Sequence, residues 1–121
     1  MRKKILIIDE DALNRRFFSD VLVSEGFDTV VAEADGAAPS LAIAERPDLI
    51  VMDMCALNDD AIATTRAMKL DKRLEGVPVI GVTAIARAIH HEEVRATGCD
   101  DCLQKPVTVD GFLRSVHRHL N

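Results

Sequence analysis

The stretch Leu49–Asp53, which reads LIVMD, decides the fold because it places a carboxylate directly after four consecutive apolar residues. A continuous apolar run of this length is typical of a parallel strand that is buried on both faces. A charged side chain at the end of such a strand costs free energy unless it is paired or bound to a metal. Asp53 is therefore the first candidate functional residue.

Short apolar runs of the same kind recur along the chain, and longer amphipathic stretches separate them. We predict strands at Ile5–Ile8, Thr29–Ala32, Leu49–Met52, Val79–Val82 and Cys102–Leu103. Helices are predicted after an Asp11 cap, from Asp35-Gly36 onward, over about Asp60–Leu70 and Ala86–Ala96, and after a Thr108 cap. Five alternating strands and helices with short connections predict an α/β fold, with one parallel sheet and helices on both faces.

The first predicted helix has an apolar face formed by Leu13, Phe17, Val21 and Leu22. Phe17 and Phe18 are adjacent, so two interpretations stay open. Either both rings fit the core, or one is a partly exposed contact near Asn14. The last helix has the clearest face, formed by Val109, Phe112, Leu113, Val116 and Leu120.

Composition and length limit the kind of protein. The 121 residues suit one domain, which we expect to span residues 1–121. A net charge of −5 argues against non-specific nucleic-acid binding. The apolar run after the first four residues is too short for a signal peptide or a membrane span. Three cysteines, an odd number, fit reduced thiols, and we expect a cytoplasmic protein.

Polar side chains follow four of the predicted strands. They are Asp9 and Glu10, Asp53, Thr83, and Lys105. The carboxyl ends of parallel strands meet at one edge of the sheet, so these groups should share one shallow pocket. Carboxylates suit Mg²⁺, while an ammonium and a hydroxyl suit phosphoryl oxygens. The pattern indicates phosphoryl transfer onto a carboxylate.

Four short motifs, in this order and spacing, resemble the receiver domain of two-component signalling. They are IIDED at residues 7–11, VMD at 51–53, VTA at 82–84 and QKP at 104–106. The likeness extends over essentially the whole chain. It implies the doubly wound, flavodoxin-like fold with strand order 2-1-3-4-5.

The resemblance also implies roles for the site residues. Asp53 is the phosphoacceptor with Mg²⁺ as cofactor, Glu10 is a direct ligand, and Asp9 acts through water. The main-chain carbonyl of Cys55 is a further metal contact.

Thr83 and Lys105 would bind the phosphoryl oxygens, and the Lys105–Pro106 bond is expected to be cis. The implied partners are a sensor histidine kinase or histidine phosphotransfer protein and a downstream protein target. We expect a monomer or weak dimer that binds neither nucleic acid nor membrane. It would not be an enzyme beyond its own phosphorylation and dephosphorylation.

Four positions depart from the family pattern. Glu10 stands where Asp is commoner, and Leu57 and Ala61 replace the usual Pro and Gly of the loop after Asp53. Cys102 stands where the family usually has Tyr or Phe, whose ring moves when Thr83 engages the phosphoryl group. The usual coupling between an aromatic ring and Thr83 therefore cannot operate in this chain.

Two other hypotheses stay open beside the phosphoaccepting receiver. The first is a receiver-like binding module whose contacts do not depend on phosphate. The second is a redox or metal-binding protein that uses Cys99 and Cys102, although we expect a partly exposed Cys99 and a Cys102 within a strand. The pairs His90-His91 and His117/His119 are interpreted as solvated surface, because such spacings point apart on a helix.

Overall fold

The computed structural model describes residues 2–33, 35–54 and 59–120, in which strands and helices alternate. The strands are β1 (Lys4–Ile8), β2 (Asp28–Ala32), β3 (Leu49–Asp53), β4 (Val79–Thr83) and β5 (Asp101–Gln104). The helices are α1 (Ala12–Ser24), α2 (Ala38–Glu45), α3 (Asp59–Leu70), α4 (Ala88–Ala96) and α5 (Val109–Leu120). Short 3-10 turns lie at Asp35–Ala37 and Lys72–Leu74. The predicted strands are confirmed, each within one residue at either end.

The strands form one parallel sheet in the order β2-β1-β3-β4-β5. This is the doubly wound, flavodoxin-like order that was expected. The order reverses between β1 and β3, and such a switch point opens a crevice beyond the carboxyl ends of the strands. In the register of the sheet, Asp53 lies beside Val82 and Thr83 lies beside Gln104, so the polar ends of β3, β4 and β5 share one edge.

Alternate residues of the strands divide the core between the two faces of the sheet. One half joins the strands to α1 and α5, through Ile5, Ile7, Phe18, Leu22, Phe112 and Val116. The other half joins them to α2, α3 and α4, through Leu6, Ile8, Ala42, Met68 and Val94. Helices therefore cover both faces, as expected for a parallel sheet.

The buried face of α1 differs from the predicted one. Leu13 is 77% exposed and Phe17 is 37% exposed, whereas Phe18 and Leu22 are buried. Neighbouring residues on a helix lie about 100° apart, so only one of two adjacent rings can point at the sheet. Phe18 takes that place and packs against Phe112, with ring centroids 4.8 Å apart.

The predicted helix caps are present. The Asp11 side chain accepts a hydrogen bond from the amide of Leu13 at the start of α1. The Thr108 hydroxyl accepts one from the amide of Gly111 at the start of α5. In the described part of the chain, no helix has both the length and the apolar character needed to cross a membrane.

Candidate functional site

Lys105 brings the ends of β1, β3 and β5 together. Its Nζ lies 3.5 Å from Oδ1 of Asp53 and 3.7 Å from Oδ2 of Asp9. Asp53 is the last residue of β3, Asp9 directly follows β1, and Lys105 directly follows β5. The convergence expected from a parallel sheet is therefore present for these three side chains. The Lys105–Pro106 peptide bond is cis, as expected.

Asp9 is the most deeply buried carboxylate of the site, at 3% exposure. Its Oδ1 accepts a hydrogen bond of 2.9 Å from the amide of Asp11, but its buried Oδ2 has no hydrogen-bond partner among the described residues. Burial raises the pKa of Asp9, and the Asp53 carboxylate adds to that rise, while the Asp11 amide and the Lys105 ammonium oppose it. This oxygen faces the Lys105 ammonium at 3.7 Å without a hydrogen bond, and a buried oxygen in that position is suited to a hard cation.

The loop after β1 carries Asp9 and Glu10, and Arg15 of α1 holds its backbone. The side chain of Glu10 is exposed, and its backbone carbonyl accepts a hydrogen bond of 3.0 Å from Arg15. The same Arg15 nitrogen donates to the carbonyl of Asp9 at 2.8 Å. Arg15 therefore fixes the backbone that presents both acidic side chains. Sequence reasoning missed this residue, because a contact from a helix to loop carbonyls leaves no periodic signal.

The Thr83 hydroxyl is fully buried at the end of β4. It accepts a hydrogen bond of 3.1 Å from the amide of Ile85 and lies 2.8 Å from Nε2 of His90. The interpretation of His90 as solvated surface is wrong, because its side chain is buried at 6% exposure. The spacing of His90 and Val94, four residues apart on α4, was the signal that could have found it, since both face the sheet.

His91 is half-buried and also differs from the solvated interpretation. Its Nε2 lies 3.0 Å from the carbonyl oxygen of Ile85 and 2.9 Å from Oε1 of Gln104. A carbonyl oxygen only accepts, so Nε2 of His91 carries the proton and donates. On α5, His117 is exposed as expected, while Nδ1 of His119 donates to the carbonyl of Ser115.

The two cysteines of the C-x-x-C segment are both buried. Each is 8% exposed, so the expectation of a partly exposed Cys99 is wrong. Cys99 lies in the core between β4, α3 and α4, and Cys102 lies in β5 as predicted. Burial raises the pKa of both thiols, which is the opposite of what a reactive thiolate requires. Within the described ranges, no three His, Cys, Asp or Glu side chains lie close enough to hold a metal ion.

Beside the site, a groove of about 450 Å³ runs between α1 and the segment that follows β5. Its lining includes Asn14, Phe17, Phe18, Lys105, Pro106 and Val107. Phe17 is thus the partly exposed ring near Asn14, and Phe18 is the ring that reaches the core. Lys105 belongs to both the groove and the carboxylate cluster, so the groove adjoins the cluster that contains the candidate phosphoacceptor.

The loop after Asp53 is described only in part. Cys55, predicted to offer its carbonyl to the metal, and Leu57, which stands in place of the usual Pro, lie outside the described residues. Ala61, in place of the usual Gly, is buried within α3, and its carbonyl accepts a hydrogen bond from Thr65.

Comparisons with known proteins identify the family of this chain. Residues 5–117 match the family model for the response regulator receiver domain. The polar-differentiation response regulator DivK of Brucella ovis is 32% identical over 120 residues, which cover 99% of this chain and 98% of that protein.

Among solved structures, the Francisella response regulator 1452 receiver domain is 27% identical with a TM-score of 0.85, covering 98% of this chain and 97% of that one. The chemotaxis protein CheY4 of Vibrio cholerae shares the fold at 22% identity, with a TM-score of 0.89 over 99% of this chain and 100% of that one. The chain therefore belongs to the response regulator receiver domain family of two-component signalling.

Proposed function

We propose that this receiver domain accepts a phosphoryl group on Asp53 from a phosphohistidine of a sensor histidine kinase or a histidine phosphotransfer protein. The observation that carries the proposal is the position of Lys105, whose Nζ lies 3.5 Å from Asp53 and 3.7 Å from Asp9. An ammonium held between two carboxylates supplies the countercharge that an arriving phosphoryl group needs.

Three side chains of the site have defined parts in this transfer. A carboxylate oxygen of Asp53 attacks phosphorus, the bond from phosphorus to the donor's imidazole nitrogen breaks, and the imidazole leaves with its electron pair. Lys105 binds one phosphoryl oxygen, and the Thr83 hydroxyl donates a hydrogen bond to another. The product is an acyl phosphate on Asp53, which is later hydrolysed or passed on.

Mg²⁺ fits the residues present, because Oδ2 of Asp9 is a buried oxygen without a hydrogen-bond partner in the described chain. Glu10 and Asp53 would bind the ion directly and Asp9 through water, with the main-chain carbonyl of Cys55 as a further contact. When bound, the ion neutralises charge on the phosphoryl oxygens. Glu10 is exposed, so its longer side chain is free to reach toward the site from solvent.

The groove beside Lys105 supports docking of the phosphodonor. Its apolar surface at Phe17 and Val107 suits a helix that carries the phosphohistidine, and it adjoins the acceptor. We further propose that residues 1–121 act as one receiver domain, as a monomer or weak dimer in the cytoplasm, where the kinase's ATP is available. The output is contact with a downstream protein, and no enzymatic activity beyond the domain's own phosphorylation and dephosphorylation is expected.

A second function, a binding module that works without phosphate, is favoured by one observation. Cys102 occupies the position of the usual switch aromatic and is buried in the core. A domain of this kind would bind its partner equally well whether or not Asp53 can be phosphorylated.

The experiment that separates the two functions is intact-mass measurement after treatment with acetyl phosphate and Mg²⁺. The phosphoaccepting receiver should gain the mass of one phosphoryl group, and Asp53→Asn should gain none. A known receiver treated in parallel shows that the reagent is active. An unchanged mass of the unmodified protein would contradict the proposal, and modification of Asp53→Asn would move the site elsewhere.

A further inference from the structure

The hydrogen bonds of Thr83 raise the question of where its single proton lies. Within the described residues, the Thr83 hydroxyl has two partners, the amide of Ile85 and Nε2 of His90. The amide can only donate, so Thr83 accepts from Ile85 and keeps its own proton to give. Nε2 of His90 lies 2.8 Å from the hydroxyl, and it accepts this proton when the imidazole carries its own proton on Nδ1.

Resting on the proposed function above, we propose that His90 is a positioning residue that holds the Thr83 proton in the unphosphorylated protein. A hydroxyl has one proton and cannot donate to His90 and to a phosphoryl oxygen at the same time. Phosphorylation of Asp53 therefore exchanges the bond from Thr83 to His90 for a bond from Thr83 to the phosphoryl group. The exchange releases His90, and with it the first turns of α4.

The packing of α4 makes this release consequential. His90 and Val94 lie four residues apart on the face of α4 that is buried against β4. The helix lies so close to the strand that a Cβ at Gly81 would be 2.8 Å from Cγ1 of Val94. A change in the hydrogen bond of His90 therefore acts on a helix that is packed closely against β4. Tightly packed interfaces shift between discrete arrangements rather than deform gradually.

His90 also supplies what Cys102 lacks. A buried thiol at the usual aromatic position has no ring that could swing inward behind Thr83. His90 instead contacts Thr83 directly from α4, so the change caused by phosphorylation of Asp53 passes to the helix through one hydrogen bond. The route leads from Asp53 through Thr83 to α4, and β5 is not needed to carry it.

A pair of polar substitutions tests the exchange. In His90→Gln the side-chain amide reaches about as far as Nε2, so the acceptor for Thr83 is kept. In His90→Asn the amide is shorter and reaches only about the position of Nδ1, so the acceptor is lost although polarity is similar. His117→Asn makes the same change at an exposed histidine of α5 and serves as the control.

The measurement is the dissociation constant of beryllofluoride, a mimic of the phosphoryl group on Asp53, from NMR titration with Mg²⁺ present. Loss of a neutral hydrogen bond that exists only in the unphosphorylated form should tighten binding by roughly two- to tenfold in His90→Asn. His90→Gln and His117→Asn should match the unmodified protein. Amide signals of α4 should already be displaced in His90→Asn before beryllofluoride is added.

A second measurement needs no His90 variant. Imidazole ¹⁵N spectra of the unmodified protein should show Nε2 of His90 as an acceptor with the proton on Nδ1, and Thr83→Val should change that signal. A proton on Nε2 would overturn the proposal, and so would equal beryllofluoride affinity of His90→Asn and the unmodified protein. No beryllofluoride binding by the unmodified protein would instead overturn the proposed function, and the exchange with it.

Discussion

The ammonium of Lys105, which follows β5, lies 3.5 Å from Oδ1 of Asp53 at the end of β3, although β4 separates the two strands. The lysine side chain is 19% exposed, so it is largely withdrawn from water. Its charge is offset by Asp53 and by Asp9, whose Oδ2 lies 3.7 Å away. The Lys105 ammonium therefore stabilises both carboxylates before phosphorylation, and it already lies where it could bind an oxygen of a phosphoryl group on Asp53.

The first prediction concerns removal of this cation. In Lys105→Ala the carboxylates of Asp9 and Asp53 repel one another without compensation, so binding of a divalent cation between them becomes more favourable. We expect the fold to be retained and Mg²⁺ to bind at least as tightly, but the response to beryllofluoride to be lost. Thermal unfolding with and without Mg²⁺ and NMR titration measure these effects.

Lys69→Ala is the matched control, because Lys69 also pairs with a carboxylate but lies away from the site. It should keep the full beryllofluoride response. Normal chemical-shift changes in Lys105→Ala would show that the role assigned to Lys105 is wrong.

The second prediction concerns Cys102. In the unmodified protein, beryllofluoride should shift signals near Asp53, Thr83 and Lys105 and, through His90, in the first turn of α4. Smaller effects are expected at Arg95, in the last turn of α4, and at Arg114 on α5. An aromatic side chain buries about 150–250 Å² and offers two distinct positions, which a thiol does not. Cys102→Tyr should therefore enlarge the remote effects where the pocket accepts the ring, and Cys102→Ser should not. Remote shifts that are equally large in the unmodified protein and the Tyr variant would show that Cys102 is no impediment.

The strands and the acidic edge of the sheet could be predicted because each depends on local sequence. Apolar runs of four residues define buried strands, and the parallel arrangement alone brings Asp53 and Lys105 to one edge. Contacts between a helix and a strand could not be predicted in this way. His90 reaches Thr83 because Gly81 lets α4 approach β4 closely. In α1, a rotation of the whole helix by the angle between two neighbouring residues decides whether Phe17 or Phe18 enters the core.

The third prediction concerns the close approach at Gly81. A methyl group there would be 2.8 Å from Cγ1 of Val94 and 3.3 Å from Cγ of Met54, both in the buried core. Overpacking of this kind costs about 1–3 kcal/mol, so Gly81→Ala should lower the free energy of unfolding by that amount. Urea denaturation measures the change. Val94→Ala removes the clashing methyl groups, so the double variant should lose less stability than the sum of the two single variants.

Gly36→Ala is the control for the general effect of an added methyl group, because nothing lies within 4 Å of the Cβ position there. Its stability should be close to that of the unmodified protein. Strict additivity of Gly81→Ala and Val94→Ala would contradict the proposed clash.

The fourth prediction concerns Asp100, which joins α3 to the start of β4. Its Oδ2 accepts hydrogen bonds of 2.8 Å from the ammonium of Lys69 and from the amide of Val79. Burial raises the pKa of Asp100, but these two hydrogen bonds outweigh it and hold the pKa below its ordinary value of 3.8. A carboxyl group with a lowered pKa contributes stability that is present above its unfolded pKa and is lost as the pH falls through its folded pKa.

Asp100→Asn should therefore cost about 1 kcal/mol at neutral pH, somewhat less than is usual for hydrogen bonds to a charged group, because the side chain is partly exposed. The cost should shrink as the pH falls below the ordinary carboxyl value, since the unmodified protein then loses the charge as well. Urea denaturation at about pH 7 and about pH 3 gives the two values. Asp20→Asn, at an exposed pair with Arg16, should change little at either pH. A cost of Asp100→Asn that is the same at both pH values would show that the charge of Asp100 adds nothing to stability.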